Sequence, residues 1–185
     1  MKEIALHILD IAQNSISAKA ALIVLTLSET PDAITFTIVD NGKGMSPELL
    51  AQVSDPFTTT RTTRKMGLGI PLLRMAVEQT GGSLVIDSTE GVGTTVTALF
   101  RPGHIDCPPV GDMAGTITLL LQGAPSLELR YTHVIGDDSF QLTTEELRAQ
   151  LGPDISLAEP EIILWIRDYL QEQETFLREN KGMKA

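Results

Sequence analysis

The stretch "DNGKGM", residues 40–45, places two glycines directly behind an acid at the end of a strand-like run. Further along, "MGLGIPLL", residues 66–73, places two more glycines directly before a helix-like run. Neither stretch is a P-loop, because no glycine is followed after four residues by Gly-Lys-Ser/Thr, and neither has the third glycine of a dinucleotide fingerprint. The two glycine pairs therefore need another explanation.

The elements before and after these glycines predict a helix followed by two hairpins. Residues 4–18 carry a broad apolar face with helical spacing, which suits packing on a sheet. Residues 21–29 and 33–40 alternate apolar and polar side chains around a "TPD" turn, which predicts an antiparallel hairpin. Residues 83–88 and 94–101 predict a second hairpin with "TEGVG" at its turn.

The segment between the two hairpins predicts helices separated by a loop. A short helix begins near "SPELL", residues 46–50, and the threonine-rich stretch 54–69 suits a mobile surface loop. Pro71 starts a helix over residues 71–80, which "GG" closes. We therefore predict an α/β fold, a two-layer sandwich with a mixed sheet and with the first helix and the helix at 71–80 on one face.

The C-terminal part is less patterned. The proline- and glycine-rich stretch 101–112 is a plausible boundary, which divides the chain into a domain over residues 1–103 and an α/β extension over residues 104–185, packed on the first part. Residues 115–123 and 127–135 predict two further strands.

Two pairs of residues have capping-box spacing and predict helices after them. These pairs are Thr143 with Glu146 and Ser156 with Glu159. The last helix is predicted over about residues 157–180. Its inward face is predicted to carry Ile162, Ile163, Trp165, Ile166 and Tyr169.

The composition of the chain limits the cellular compartments and the classes of partner that we expect. The 185 residues include one cysteine, Cys107, so an internal disulfide is excluded. The start of the chain has no signal-segment pattern and no apolar run approaches a membrane span, so we expect a cytoplasmic protein. A formal charge of -10 opposes general binding to nucleic acid or to an anionic membrane. Any phosphate ligand must therefore be held by local contacts.

A polar stripe lies on the first helix. At about 100° per residue, His7, Asp10, Asn14 and Ser17 share a narrow arc apart from the apolar face. A solvated flank explains such a stripe. An amide oxygen one turn after a carboxylate also suits Mg²⁺ held partly by substrate phosphates and water, with Asp10 as a general base. His7 is expected to be structural or a bystander, since it shares the helix with the candidate metal ligand Asn14.

Together with the glycine motifs, this stripe resembles the GHKL ATP-binding superfamily of gyrases, heat-shock chaperone ATPases, histidine kinases and MutL-type repair proteins. The segment "DIAQNSISAKA", residues 10–20, is similar to the asparagine-containing helix motif of that family. "DNGKGM" resembles the acid-plus-glycine box, "MGLGI" the glycine motif after the ATP lid, and "EGVGTTV" the element on the closing hairpin. The resemblance covers about residues 1–101 and implies a Bergerat-type ATP-binding fold.

The resemblance implies roles for individual residues. Asp40 would accept a hydrogen bond from the amino group of adenine, where guanine presents a carbonyl oxygen. Taken by itself, an aspartate in Asp-Asn-Gly more commonly just begins a turn. Asn14 would bind magnesium and Asp10 would be the catalytic base. Thr94 would support the acid at position 40. The implied ATP-binding set is Asn14, Asp40, Gly42, Gly44, Met45, Arg61, Lys65, Gly67, Leu68, Gly69 and Thr94.

Physical chemistry supports the two glycine motifs separately. Gly42 and Gly44 permit backbone conformations and close ligand approach that a Cβ would block, as plain turn glycines also would. Gly67 and Gly69 precede a helix, whose free N–H groups and dipole favour phosphate. A flexible hinge before a helix that starts with proline would have the same glycine pattern, so Gly67 and Gly69 are also compatible with a hinge. Arg61, Arg64 and Lys65 in the lid would reach the γ-phosphate.

The chain departs from the family pattern at three points. Asp10 stands where gyrase-like and MutL-like members carry glutamate, one methylene longer, so hydrolysis is expected to be slow or absent. Ser17 stands where those members carry aspartate. We expect no phosphoacceptor domain of the histidine-kinase kind before the asparagine motif, and His104 and His133 lack the acidic neighbour of a phosphoacceptor.

These features predict a Mg²⁺- and ATP-dependent protein of the histidine-kinase-like type, which hydrolyses ATP or phosphorylates a separate protein. The run over residues 67–88 is more similar to histidine kinases and their serine-kinase relatives than to topoisomerases. The alternative is a non-catalytic module in which ATP switches contact with a partner. Free-standing members of this type occur near genes for iron hydrogenase and NADH-oxidising subunits, so the resemblance implies a redox complex as a partner. The oligomeric state stays open.

Overall fold

The computed structural model describes residues 3–54, 69–152 and 155–183. Within those ranges, six strands form one sheet in the order β3-β4-β2-β1-β5-β6. The elements in chain order are α1 Ile4–Ser17, β1 Leu22–Glu29, β2 Ile34–Asp40, α2 Pro47–Ser54, α3 Gly69–Gln79, β3 Ser83–Thr89, β4 Gly93–Phe100, α4 Met113–Gly123, β5 Glu128–Ile135, β6 Asp138–Thr143, α5 Thr144–Leu151 and α6 Pro160–Met183.

The sheet is mixed because one pair of neighbouring strands is parallel. β1 pairs with β2 in antiparallel register, with Ile23 opposite Asp40, and with β5 in parallel register, with Leu22 opposite Glu128. Side chains alternate along β1, so Ile23, Leu25 and Leu27 are buried on one face. Contacts run from α3 to α1, from α1 to α4 and from α4 to α6, so these helices form the second layer. The predicted two-layer mixed α/β fold is confirmed, and β5 and β6 extend the same sheet.

The segment predicted as a boundary also holds the start of α1. The N-cap residue Glu3 makes no side-chain cap bond. Instead, the backbone N–H groups of Ile4 and Ala5 donate to the carbonyl oxygens of Pro109 and Val110, at 2.9 and 2.8 Å. Two of the unsatisfied donors of the first turn are thus paired by the chain that leads into α4. The first and last parts of the chain therefore meet at the beginning of α1.

In the C-terminal part, two sequence predictions are wrong and one strand was missed. Residues 115–123 belong to helix α4, not to a strand, because the Asp112 carboxylate caps the helix by accepting the Gly115 N–H at 2.7 Å. β6 was not predicted at all, because its polar residues are exposed at alternate positions on an edge strand. Trp165 was predicted to point inward but is 48% exposed, while Ile166 fills the core position beside it.

The last two helices start near their predicted caps. The Thr143 hydroxyl accepts the Glu146 N–H at 3.2 Å, so the first predicted cap is confirmed. At the second, the Ser156 N–H donates to the Glu159 side chain at 3.2 Å, but α6 begins at Pro160, later than the predicted start at about residue 157. Among the helices that the structure describes, none combines the length and apolar character that crossing a membrane requires.

Candidate functional site

The "DNGKGM" loop is held between the end of α1 and the turn that joins β3 to β4. The Lys43 N–H donates to the Ala18 carbonyl at 3.0 Å, and the Lys43 carbonyl accepts the Gly91 N–H at 2.7 Å. Gly44 has a φ of 63°, and a Cβ there would overlap the Thr89 carbonyl. Glycine is therefore required at this position for both conformation and space.

The Asp40 carboxylate is fixed at both oxygens. Asp40 ends β2 and is 9% exposed. Its Oδ1 accepts the Gly42 N–H at 2.8 Å, and its Oδ2 accepts the Ser15 hydroxyl of α1 at 2.6 Å. Hydrogen bonds to a carboxylate are short and strong, so the acid has a defined orientation. Each oxygen can accept a further hydrogen bond.

Ser15 is the site residue that sequence reasoning missed. Its position on the line of Ile4, Ile8 and Ile11 placed it on the apolar face of the first helix. The structure confirms that Ser15 is buried, at 4% exposure, but its hydroxyl serves Asp40. A single hydroxyl in an otherwise aliphatic line was the available signal, because a buried hydroxyl needs a partner.

The hairpin β3–β4 supports the same loop from the other side. Thr94 lies opposite Asp40 in the β2–β4 register, and its hydroxyl is 2.9 Å from Ser88 Oγ. Ser88 in turn accepts the Met45 N–H at 2.9 Å and donates to the Gly93 carbonyl at 3.0 Å. Thr94 therefore reaches the loop through Ser88, whereas the hydroxyl that touches the Asp40 carboxylate belongs to Ser15.

The second glycine motif meets α1 at Asp10. α3 begins at Gly69, and a Cβ at that glycine would lie 3.2 Å from the Asp10 Cβ and 3.4 Å from Asp10 Oδ2. The start of α3 therefore packs directly on the Asp10 side chain. Because the first N–H groups of a helix attract anions, this junction is suited to phosphate.

The remaining polar residues of α1 divide into two groups. Asn14 and Ser17 are exposed on the helix surface. His7 is completely buried, its ring centroid lies 6.4 Å from that of Phe100, and burial lowers its pKa to about 4. Neither His7 ring nitrogen has a hydrogen-bond partner among the described residues. His7 therefore belongs to the core as a neutral ring and not to the polar stripe.

Part of the predicted site lies outside the described residues. Arg61, Arg64, Lys65, Gly67 and Leu68 fall in the interval between residues 54 and 69. Of the other predicted residues, Asp10 lies on α1, Gly69 packs on Asp10, and Asp40 is bonded to Ser15 of α1. Gly42 is bonded to Asp40, whereas Gly44 and Met45 contact the β3–β4 hairpin, in which Thr94 is bonded to Ser88. Asn14 lies on α1, between the two glycine motifs.

Residues 2–104 match the family of histidine kinase-, DNA gyrase B-, and HSP90-like ATPases. That match covers more than half of the 185 residues. The chain belongs to this ATPase family. Membership supports ATP binding and accounts for both glycine pairs within one domain.

Curated proteins that are similar to this chain include a heme sensor protein and a sensor histidine kinase. The chain is 33% identical over 86 residues to the heme sensor protein HssS of Staphylococcus saprophyticus, which covers 46% of this chain and 19% of that protein. It is 33% identical over 100 residues to the sensor histidine kinase ZraS of Escherichia coli, which covers 53% of this chain and 21% of that protein. The chain thus spans about a fifth of the length of these relatives.

A solved structure shows the same fold over a longer stretch. The N-terminal domain of a DNA repair protein superposes with a TM-score of 0.55 at 14% identity. The superposition covers 78% of this chain and 53% of that one. At this identity the likeness concerns the fold alone, and it extends beyond the residues that the family match covers.

Proposed function

We propose that this ATPase-family chain binds Mg-ATP against α1 and either hydrolyses it or transfers its γ-phosphate to a separate protein partner. One observation carries the proposal: α1 contacts both glycine motifs, through Ser15 at Asp40 and through Asp10 at Gly69. A purine and a triphosphate need different surroundings, a shaped acceptor at one end and free donors at the other. We assign the purine to the buried carboxylate of Asp40 and the triphosphate to the N–H groups at the start of α3, beside Asp10.

The Asp40 end fits adenine. The carboxylate is buried and held by Ser15 and by the Gly42 N–H, so it accepts a further donor without moving. The exocyclic amino group of adenine is such a donor, whereas guanine presents an oxygen there. A Cβ on Gly42 would approach Asp40 Oδ1 and Ala18 to 3.0 Å, so glycine keeps this space open.

The Asp10 end fits magnesium and phosphate. Asn14 is exposed one turn beyond Asp10, and its amide oxygen is a hard ligand of the kind that Mg²⁺ uses beside phosphates and water. Bound magnesium would neutralise phosphate charge. Asp10 would accept the proton of the attacking water or acceptor group, and the N–H groups at the start of α3 would donate to phosphate oxygens. Arg61, Lys65, Gly67 and Leu68 are proposed to complete the phosphate contacts.

A non-catalytic, ATP-responsive switch is the second candidate. The observation that favours it is the contact of the short Asp10 side chain with the start of α3, since a base held against Gly69 extends less far than a glutamate would. In that case ATP would change the contact with a partner. A redox complex of the hydrogenase kind is proposed as that partner from family association alone.

Calorimetry with matched variants tests the binding site. Asp40→Asn is expected to weaken ATP binding by roughly 1 to 3 kcal/mol, because the amide turns a donor toward the adenine amino group. Asp32→Asn, an exposed aspartate in the β1–β2 turn, is the control and should leave affinity unchanged. Asn14→Ala should abolish the part of the binding that depends on Mg²⁺. Failure of the folded chain to bind adenine nucleotides at millimolar concentration would refute the proposal.

Phosphate release and label transfer then separate the two candidates. If the chain is an enzyme, Asp10→Asn should lose turnover while it keeps ATP affinity. A wild-type protein that binds ATP and gains thermal stability from it, but neither releases phosphate nor labels any partner, would leave only the switch.

A further inference from the structure

The last helix carries aromatic side chains that the core leaves partly uncovered, with Tyr169 partly buried against the core. Its inward face consists of Ile163, Ile166, Leu170 and Leu177, each buried. On its outer side, Trp165 is 48% exposed and Phe176 is 60% exposed, and the Trp165 and Tyr169 rings stack with centroids 6.0 Å apart. At about 100° per residue these three aromatic residues fall within about 40° of one another. We name Trp165, Tyr169 and Phe176 the aromatic stripe.

An acidic column runs along one side of the aromatic stripe. It consists of the exposed residues Glu161, Asp168, Glu172 and Glu179, which recur at helical spacing within about 40° of one another. Asp168, Glu172 and Glu179 line a shallow groove together with Phe176. Among the described residues, no basic side chain forms an ion pair with a member of the column. Within the described part of the chain, the charge beside the stripe is therefore negative and has no ion-pair partner.

The two arginines of α6 with described side chains point elsewhere. Arg167 donates to Asp112 at 3.1 Å and Arg178 donates to Glu29 at 2.9 Å, so both are tied to the body of the protein. Both described arginines of α6 thus bind acids of the protein body, while the acidic column lies exposed on the outer side of the helix. An apolar stripe with charge of one sign on its flank selects a partner of opposite charge.

We propose that the aromatic stripe and the acidic column together form a docking surface for a basic amphipathic helix of another protein. Apolar side chains of that helix, spaced three and four residues apart, would lie on Trp165, Tyr169 and Phe176. Its Lys or Arg side chains would face the acidic column. A second copy of this chain is the wrong occupant, because its own column and its charge of -10 repel it. The same repulsion applies to an anionic membrane.

This surface is separate from the proposed nucleotide site. α6 contacts α4, β5 and β6, whereas α3 contacts β3 and β4 at the other edge of the sheet. Both surfaces can therefore be occupied at once, and the docking surface stands whether or not the chain turns over ATP.

Trp165 makes the surface directly observable, since it is the single tryptophan of the chain. The probe is a designed helical peptide of about 20 residues with leucines on one face and lysines on the flanks. Its matched control has glutamate in place of every lysine. We expect the lysine peptide to shift the Trp165 emission to the blue and to protect it from acrylamide quenching. The glutamate peptide should bind at least tenfold more weakly.

Variants locate the contact. Phe176→Ala should lower the affinity for the lysine peptide by roughly tenfold, since aromatic residues that become buried dominate the binding energy of such interfaces. Leu164→Ala is the control, because Leu164 is 61% exposed on the same helix but lies about 100° from Trp165. The double variant Asp168→Lys with Glu172→Lys should reverse the preference between the two peptides. Unfolding temperatures of all variants check that the fold is kept.

Four results would overturn the proposal. The two peptides could bind equally well, or Phe176→Ala and Leu164→Ala could have the same effect on binding. Protection of Trp165 that rises with protein concentration alone would show that a second copy covers the stripe. Protection by vesicles of phosphatidylcholine and phosphatidylglycerol, without the peptide charge preference, would assign the surface to a membrane.

Discussion

The two ends of the sheet are stabilised by different kinds of interaction. At the β4–β2 end, backbone groups, serine hydroxyls and obligatory glycines fix the loop, and no residue of β3 is buried. At the β5–β6 end, α5 and α6 contact both strands, and alternate side chains of β5 are buried. Alternate side chains of β2 and β4 are buried as well, so one core lies under both ends, and the fixed loop is what distinguishes the first end. Motifs describe the first end well and the second end poorly.

The β5–β6 end also contains a buried ionic cluster. Glu29 of β1 is 7% exposed, and its Oε1 lies 2.9 Å from His133 Nε2 of β5 and 2.9 Å from Arg178 of α6. Three elements that are distant in sequence are thus joined by one carboxylate. At the other end, Asp40 is held by its own loop and by α1. Substitutions at the two ends should therefore destabilise the protein for different physical reasons.

The largest expected effect is that of Gly93→Ala at the β4–β2 end. Gly93 has a φ of 144°, and a Cβ there would overlap the Asp40 carbonyl, so backbone must move where Asp40 is positioned. We expect a loss of about 3 kcal/mol or more in unfolding free energy. Gly91→Ala is the matched control, because Gly91 also has a positive φ, 77°, but open space around it. It should cost only about 1 kcal/mol. Equal losses in urea unfolding would show that overlap with Asp40 is not decisive.

The next effect is that of Glu29→Gln at the opposite end. Burial raises the pKa of the Glu29 carboxyl, but the hydrogen bond from His133 and the charge and hydrogen bond of Arg178 outweigh it, so the pKa is lowered from 4.5. The amide keeps the shape and loses the charge, which should cost about 2 kcal/mol at neutral pH. Because the folded-state pKa is lowered, this stabilisation is complete above pH 4.5 and is lost as the pH falls through the folded-state value. The difference between wild type and variant should therefore close in acid, and a gap independent of pH would contradict the ionic account.

The sequence allowed prediction of the N-terminal elements because periodicity and turn residues are local. Residues 4–18 and the two hairpins have clear spacing, and the structure has α1 and β1 to β4 there. Residues 115–123 were wrongly predicted as a strand, because an apolar run of β-branched residues and leucines fits a buried strand as well as a buried helix. The partner of Glu29 and the hydroxyl on Asp40 could not be predicted, since His133 and Ser15 meet these acids only through the folded chain.

Ser15→Ala tests the contact that the sequence did not reveal. It removes the hydroxyl that donates to Asp40 Oδ2, so the buried carboxylate loses one of its two described donors. We expect a loss of about 1 kcal/mol in stability and a several-fold weaker ATP affinity by calorimetry at a temperature where the variant is fully folded. Ser17→Ala, exposed two residues later on the same helix, is the control. ATP affinity unchanged by Ser15→Ala would show that the hydroxyl does not orient the acid for a ligand.

The smallest effect, Glu174→Gln, should have the opposite sign to that of Glu29→Gln, although Glu174 lies on α6 and Glu29 is bonded to the same helix through Arg178. Burial raises the pKa of Glu174 from 4.5, and its Oε1 has no hydrogen-bond partner among the described residues. A raised folded-state pKa means that stability falls as the pH rises through the folded-state value, so the ionised side chain weakens the fold at neutral pH. Glu174→Gln should therefore stabilise the protein by up to about 1 kcal/mol at pH 7, with the gain disappearing below pH 4.5. Urea unfolding of both variants across this pH range would measure the two slopes side by side. Destabilisation by Glu174→Gln at neutral pH would show that the Glu174 charge supports the cluster, and the β5–β6 end would then depend on two carboxylates and not on one.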